Sequence, residues 1–273
     1  MAYVPGSSEG LPAAAQERLK RMRGEGSTPT LFTSDLSINE FLLVREAGFD
    51  PLGLVMGSSI YHIGWQMRSF YQNQELDVLT QAMYEARELA MTRMEEEADL
   101  LGADGIVGVR LDVNRYDWGA SMAEFMAIGT AIRHRAGGNY RTVENRPFTS
   151  DLSGQDFWTI LKAGYRPLAL VMGTCVYHVA HQGLMQSLKQ MGRNVEMPNY
   201  TQARYDAREL AISRMQVEAE RVQAAGIVGA QVKESNHGWD SHVIEYFAVG
   251  TAVTPISVDH EVPEPSMVLP LLG

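Results

Sequence analysis

Cysteine is nearly missing from this chain: Cys175 is the one thiol in 273 residues. No disulfide framework can form within the chain, so a reducing compartment is expected, with the cytoplasm as the default address. Long apolar runs are missing too. No stretch approaches the roughly 18 apolar residues that read as a membrane span. The start, Met1-Ala2-Tyr3-Val4-Pro5-Gly6, lacks the basic-then-apolar order of a signal peptide. Basic charge is in deficit. The net charge of −10 argues against nonspecific nucleic-acid binding, which needs a cationic surface to displace counterions. The one dense basic run, Arg18, Lys20, Arg21 and Arg23, is diluted by Glu17 and Glu25 and reads as a short solvated helix. Catalytic signatures are absent as well. There is no serine–histidine–acid order and no phosphate-cradling glycine loop. Gly102, Gly105 and Gly108 follow a helix, which makes them a cap and a tight strand entry rather than a dinucleotide fingerprint.

What the chain does contain is a duplication. Phe32-Thr33-Ser34-Asp35-Leu36-Ser37 returns as Phe148-Thr149-Ser150-Asp151-Leu152-Ser153. Residues 32–63 match 148–179 at 17 of 32 positions, and 80–130 match 201–251 at 23 of 51. The unit of analysis is therefore about one hundred residues. The chain divides into a flexible N-terminal arm (1–31) and a first repeat (32–134). A linker (135–147), a second repeat (148–254) and an extended Pro-rich tail (255–273) follow. The tail ends in Leu269-Pro270-Leu271-Leu272-Gly273, a candidate docking segment for a protein client.

Each repeat opens on a helix. Ser37 with Glu40 has capping-box spacing, and Ser153 with Asp156 is a weaker version. Gly48 and Gly164 are plausible left-handed stops. An apolar strand follows in each copy, over 52–63 and 168–180. A long helix comes next, over 80–101 and 201–222. Ala86, Ala90, Met94 and Ala98 make a stripe of small residues every four positions, repeated as Ala207, Ala211, Met215 and Ala219. The face bearing Glu85, Glu88, Glu95, Glu96 and Asp99 is expected to be solvated. Two further strands close each repeat, over 105–111 and 122–132 in the first copy and 226–232 and 243–253 in the second. So few strands leave sheet edges open, and open edges invite association.

The run Ala86-Arg87-Glu88-Leu89-Ala90, then Arg93-Met94, Glu97-Ala98, Leu101-Gly102-Ala103-Asp104-Gly105-Ile106-Val107-Gly108, and Glu124-Phe125-Met126-Ala127-Ile128-Gly129-Thr130-Ala131 resembles the YbjQ-like family. The pattern recurs, weaker, in the second repeat. The resemblance implies an α+β fold: two tandem domains, each a small sheet packed on one long helix. It also implies a ring-forming, pentamer-type assembly in which sheet edges are completed between subunits. It implies no reaction. The family is often labelled heavy-metal-binding, without a ligand motif to carry over.

A divalent metal ion would therefore have to use this chain's own donors. Cys175, His178 and His181 are the candidates, with His237 and His242 beyond them. In a regular strand Cys175 and His178 point to opposite faces, and the first repeat has Ser59 and Trp65 where the second has Cys175 and His181. Glu124 and Glu245 stand in apolar strands, and Arg87, Arg208, Arg93 and Arg214 recur in the long helices. A partly buried carboxylate needs a partner. These residues form either an ion pair from last strand to long helix, within a chain or across a subunit boundary, or a small anion or metal site. Tyr61-His62 and Tyr177-His178 could line a pocket or do acid–base work. Trp118 and Trp239 could mark a contact surface. The leading expectation is a non-enzymatic homo-oligomeric scaffold of five chains. A metal-responsive protein and an enzyme with a site at the subunit boundary are the alternatives.

Overall fold

The computed structural model describes residues 11–25, 31–62, 73–115, 122–138, 140–179, 198–236 and 243–256. Helix α1 (Ala13–Met22) precedes the first repeat. That repeat contains α2 (Ile38–Glu46), β1 (Phe49–His62), β2 (Gln74–Glu75), α3 (Asp77–Leu100), β3 (Gly105–Arg115) and β4 (Met122–His134). The second follows with β5 (Phe148–Thr149), α4 (Gly154–Lys162), β6 (Tyr165–His178), α5 (Pro198–Arg221), β7 (Gly226–Asn236) and β8 (Val243–Pro255). This is a mixed α+β fold. His181, His237, His242, Trp118, Trp239 and the tail from 257 onward lie outside the described residues.

Local chemistry sets the element ends. At α2 the Ser37 hydroxyl accepts from the Glu40 N–H, and the Glu40 carboxylate accepts from the Ser37 N–H, a complete capping box. At α4 the Ser153 hydroxyl accepts from Asp156 N–H and donates to its carboxylate, so the backbone half of the box is missing. Gly48 and Gly164 take φ of 94° and 77°, the left-handed stop that a Cβ disfavours.

Two four-stranded sheets form, in the orders β1-β4-β3-β5 and β2-β6-β8-β7. Each is completed by a strand from the other repeat. β5, the start of the second repeat, pairs in parallel with β3, placing Phe148 beside Gly105 and Thr149 beside Ile106. β2, from the first repeat, pairs antiparallel with β6, placing Glu75 beside Tyr177. The contact of β5 continues past the strand: Gly108 N–H donates to Leu152 O, and Val109 N–H to Ser150 O.

Alanine and glycine let helix meet sheet. A Cβ on Gly57 would stand 2.1 Å from the Ala90 carbonyl oxygen, and one on Gly173 2.0 Å from that of Ala211. The alanine stripes of α3 and α5 thus ride directly on β1 and β6. Glu85, Glu88 and Asp99 are exposed and Glu95 and Glu96 half-buried, as the run of glutamates suggests, but the flank of α3 bearing Thr80, Arg87 and Met91 is buried. It packs on the outer face of the second sheet, and one core joins Met83, Met91 and Phe125 to Met172, Val176 and Phe247. The basic helix α1 is not wholly solvated either. Leu19 is buried in that core, and Arg18 donates to Leu54 O at 2.8 Å and to the Glu97 carboxylate at 2.5 Å.

Candidate functional site

The chemistry gathers where α3 crosses the outer face of β6 and β8. Because α3 is covered on two sides, a long polar residue on its second face must find a partner inside the protein. Arg87 does so. Its guanidinium donates to Glu245 Oε1 at 2.6 Å and to the Thr174 hydroxyl at 2.9 Å, and it lies 4.1 Å from the Phe247 ring centroid. Both charged side chains are buried. The pair therefore runs from the long helix of one repeat to the last strand of the other. One turn earlier on the helix Tyr84 donates to the Glu218 carboxylate, and two turns earlier Thr80 Oγ1 accepts from Val176 N–H.

A second charged group lies at the exchanged strand. Glu75 of β2 accepts two bonds from Arg214 of α5, at 2.6 and 3.0 Å, and Arg214 also donates to Thr174 O. The equivalent Arg93 donates to Ser58 O. Arg208 lies on the exposed side of α5, beside Glu209 and over the Tyr205 ring. Glu124 borders a groove between α1 and β1. Of the sequence-selected charges Arg87 and Glu245 form a buried pair, whereas Arg214, Arg208 and Glu124 are only partly buried.

Sequence reasoning passed over Glu97 and Glu218, which occupy the same position in the two long helices. Each accepts from a strand N–H, Met56 at 2.9 Å and Met172 at 2.7 Å. The signal was present: an identical acid beside the last alanine of each stripe. Burial raises both carboxyls above the ordinary 4.5, outweighing Arg18 at Glu97 and Tyr84 at Glu218. The folded chain therefore holds these protons more tightly than the unfolded one. Their contribution to stability is full below pH 4.5 and is lost as pH rises through the raised folded values. Glu218→Gln should flatten that decline, measured by urea unfolding at successive pH values. A slope equal to wild type would contradict it.

A family model with the description "YbjQ_1: Putative heavy-metal-binding" matches residues 52–135 and again 164–255. The chain belongs to the YbjQ family. It is 51% identical over 265 residues to the "Encapsulin nanocompartment protein Rv1762c" of Mycobacterium tuberculosis, an alignment covering 97% of this chain and 98% of that protein. It is 37% identical over 106 residues to a "UPF0145 protein" of Halorubrum lacusprofundi, covering 37% of this chain and 99% of that one. A "UPF0145 protein" of Archaeoglobus fulgidus is 37% identical over 89 residues, 31% of this chain and 81% of its own length.

The YbjQ description names metal, and the donors can be tested against it. Cys175 is buried in the core under α5, whereas its neighbour Val176 belongs to the core under α3. Strand alternation therefore puts Cys175 and His178 on opposite faces, where they cannot share an ion. Burial pushes the Cys175 thiol up to about 12, and the Glu75 charge adds to the rise, so the thiolate a metal would need is disfavoured. Among the described residues no three His, Cys, Asp or Glu side chains converge as a metal cluster. The described donors do not fit a metal centre. Native protein should resist a thiol reagent such as dithionitrobenzoate, with one equivalent reacting on unfolding. Rapid labelling of the folded chain would refute this placement.

Tyr177 and His178 part in the same way. Tyr177 lies in the core under α5, and His178 is buried on the other side of β6. The two side chains do not form one acid–base site. The side chain of His62 lies outside the described set, while Tyr61 reaches Glu85 at 3.5 Å. No described helix is long and apolar enough to cross a membrane.

Proposed function

We propose that this YbjQ protein is a non-enzymatic structural subunit: a homo-oligomer of five chains that serves as a scaffold in a protein nanocompartment. The exchange of β2 and β5 carries this reading. A sheet whose fourth strand comes from a neighbouring domain is built to be completed by association. The exchanged segments do so through backbone bonds, with the Glu75–Arg214 ion pair at β2, and the buried Arg87–Glu245 pair between α3 and β8 joins the same two repeats. The likeness to a nanocompartment protein along nearly the whole length of both chains supports the setting. The described cavities and charges converge on packing: the buried acids accept strand N–H groups, and the buried arginine serves an inter-repeat contact.

Native mass spectrometry of protein purified without added metal or chelating resin tests this reading. A multiple of five chains with no extra mass is the expected spectrum. A monomer at micromolar concentration would overturn it, and a stoichiometric metal adduct would return attention to the family's metal description.

A further inference from the structure

The interface between the repeats has two unlike halves. The first repeat contributes α3 and the edge of β3. The second contributes the outer face of β6 and β8 and the segment 148–152. Each half has a counterpart on the other repeat that faces away from this junction: α5 and the edge of β7 on one side, the outer face of β1 and β4 and the segment 32–36 on the other. The exposures record the difference. Phe148 is 0% exposed and its counterpart Phe32 51%. Val176 is 0% exposed and Ile60 61%. The Arg87 side chain is 3% exposed and that of Arg208 39%. β7 has no strand on its outer edge among the described residues, where β3 carries β5.

We propose that a second copy of this chain docks head to tail, remaking the internal junction between the second repeat of one copy and the first repeat of the next. The proposal rests on the self-assembly reading above and assigns its contacts. Arg208 of one copy takes the place of Arg87 and meets Glu124 and Ser58 of the other, the counterparts of Glu245 and Thr174. Phe32–Leu36 of the second copy lies along β7 of the first, with Phe32 beside Gly226. Room for the incoming helix exists. α1, the outer face of β1 and β4, and Arg93 and Glu97 at the β1 edge flank an open groove of about 1060 Å³, into which Met56, Ser58, Glu124 and Met126 face. In the second repeat the counterparts of Ser58, Glu124 and Met126 hold Arg87. Such a contact is heterologous, so repetition closes a ring or runs on as a filament.

Charge reversal and cross-linking test the map. Arg208→Glu and Glu124→Arg, each with a wild-type circular dichroism spectrum, should weaken assembly at least about thirtyfold by light scattering after gel filtration. The double variant should recover most of it. Phe32→Cys with Gly226→Cys should give disulfide-linked multimers on oxidation, since the matching pair Phe148 and Gly105 are strand partners. The map is overturned if Arg208→Glu assembles like wild type, or if the assembled cysteine variant yields no cross-link. In either case the scaffold reading survives. A wild-type chain that stays monomeric removes both.

Discussion

Arg87→Ala is expected to destabilise the folded chain by about 3–5 kcal/mol, because it strands the Glu245 carboxylate in the interior. Glu245 is buried, and the guanidinium 2.6 Å away is its counter-charge. The same guanidinium also holds the Thr174 hydroxyl and lies against the Phe247 ring, so its removal takes away all three contacts at once. The melting temperature should fall on the order of 10 °C. The double variant Arg87→Met with Glu245→Gln should be milder than Arg87→Ala alone, since it removes both charges and leaves nearly the same volume filled. A melting point for Arg87→Ala within a degree of wild type would show that the pair contributes little to the junction between repeats.

Gly173→Ala should be the other large loss, at least about 3 kcal/mol, at the upper end of overpacking effects. The added methyl would meet the Ala211 carbonyl oxygen at 2.0 Å and the Met215 nitrogen at 2.7 Å, both backbone atoms of α5. No rotamer relieves that clash; the whole helix must lift from β6. Gly137→Ala is the matched control. Gly137 has nothing within 4 Å of a built Cβ and a φ of 67°, so only the left-handed backbone resists, costing about 1 kcal/mol. Urea unfolding of the two variants should separate them clearly. Equal losses would mean that α5 and β6 are less tightly apposed than the alanine stripe indicates.

The elements were legible because their causes are local. The capping box at Ser37, the glycine stops and the four-residue stripe of alanines each act within one or two turns, and the duplication displayed the stops and the stripe twice and the box once in full and once in half. The strand exchange was not legible. β2 and β5 are two residues each and bind through backbone N–H and C=O groups, which leave no side-chain period to read. The same limit hid the solvent balance of α3. Its glutamates suggested a wet face, but Thr80, Tyr84, Arg87 and Met91 among them turn to the second sheet. For the site, the sequence picked out Arg87 and Glu245 individually and offered two ways to join them. It could not show that Arg87 is interior and Arg208 exterior, since the two are the same residue in the same motif. What separates them is which repeat follows which along the chain.

That order has a consequence during synthesis. Domains emerge from the ribosome N-terminus first, so residues 32–134 are all translated before Phe148 exists. Until then the backbone of β3 from Asp104 to Val109 has no outer partner, and Ile106 and Val107 sit beside an open edge. β2 waits in turn for β6. A chain released early presents an unfinished apolar edge to chaperones and proteases, whereas the full-length product covers it. The exchanged strands thereby act as a check on completeness, making the first repeat's final state conditional on translation having reached the second.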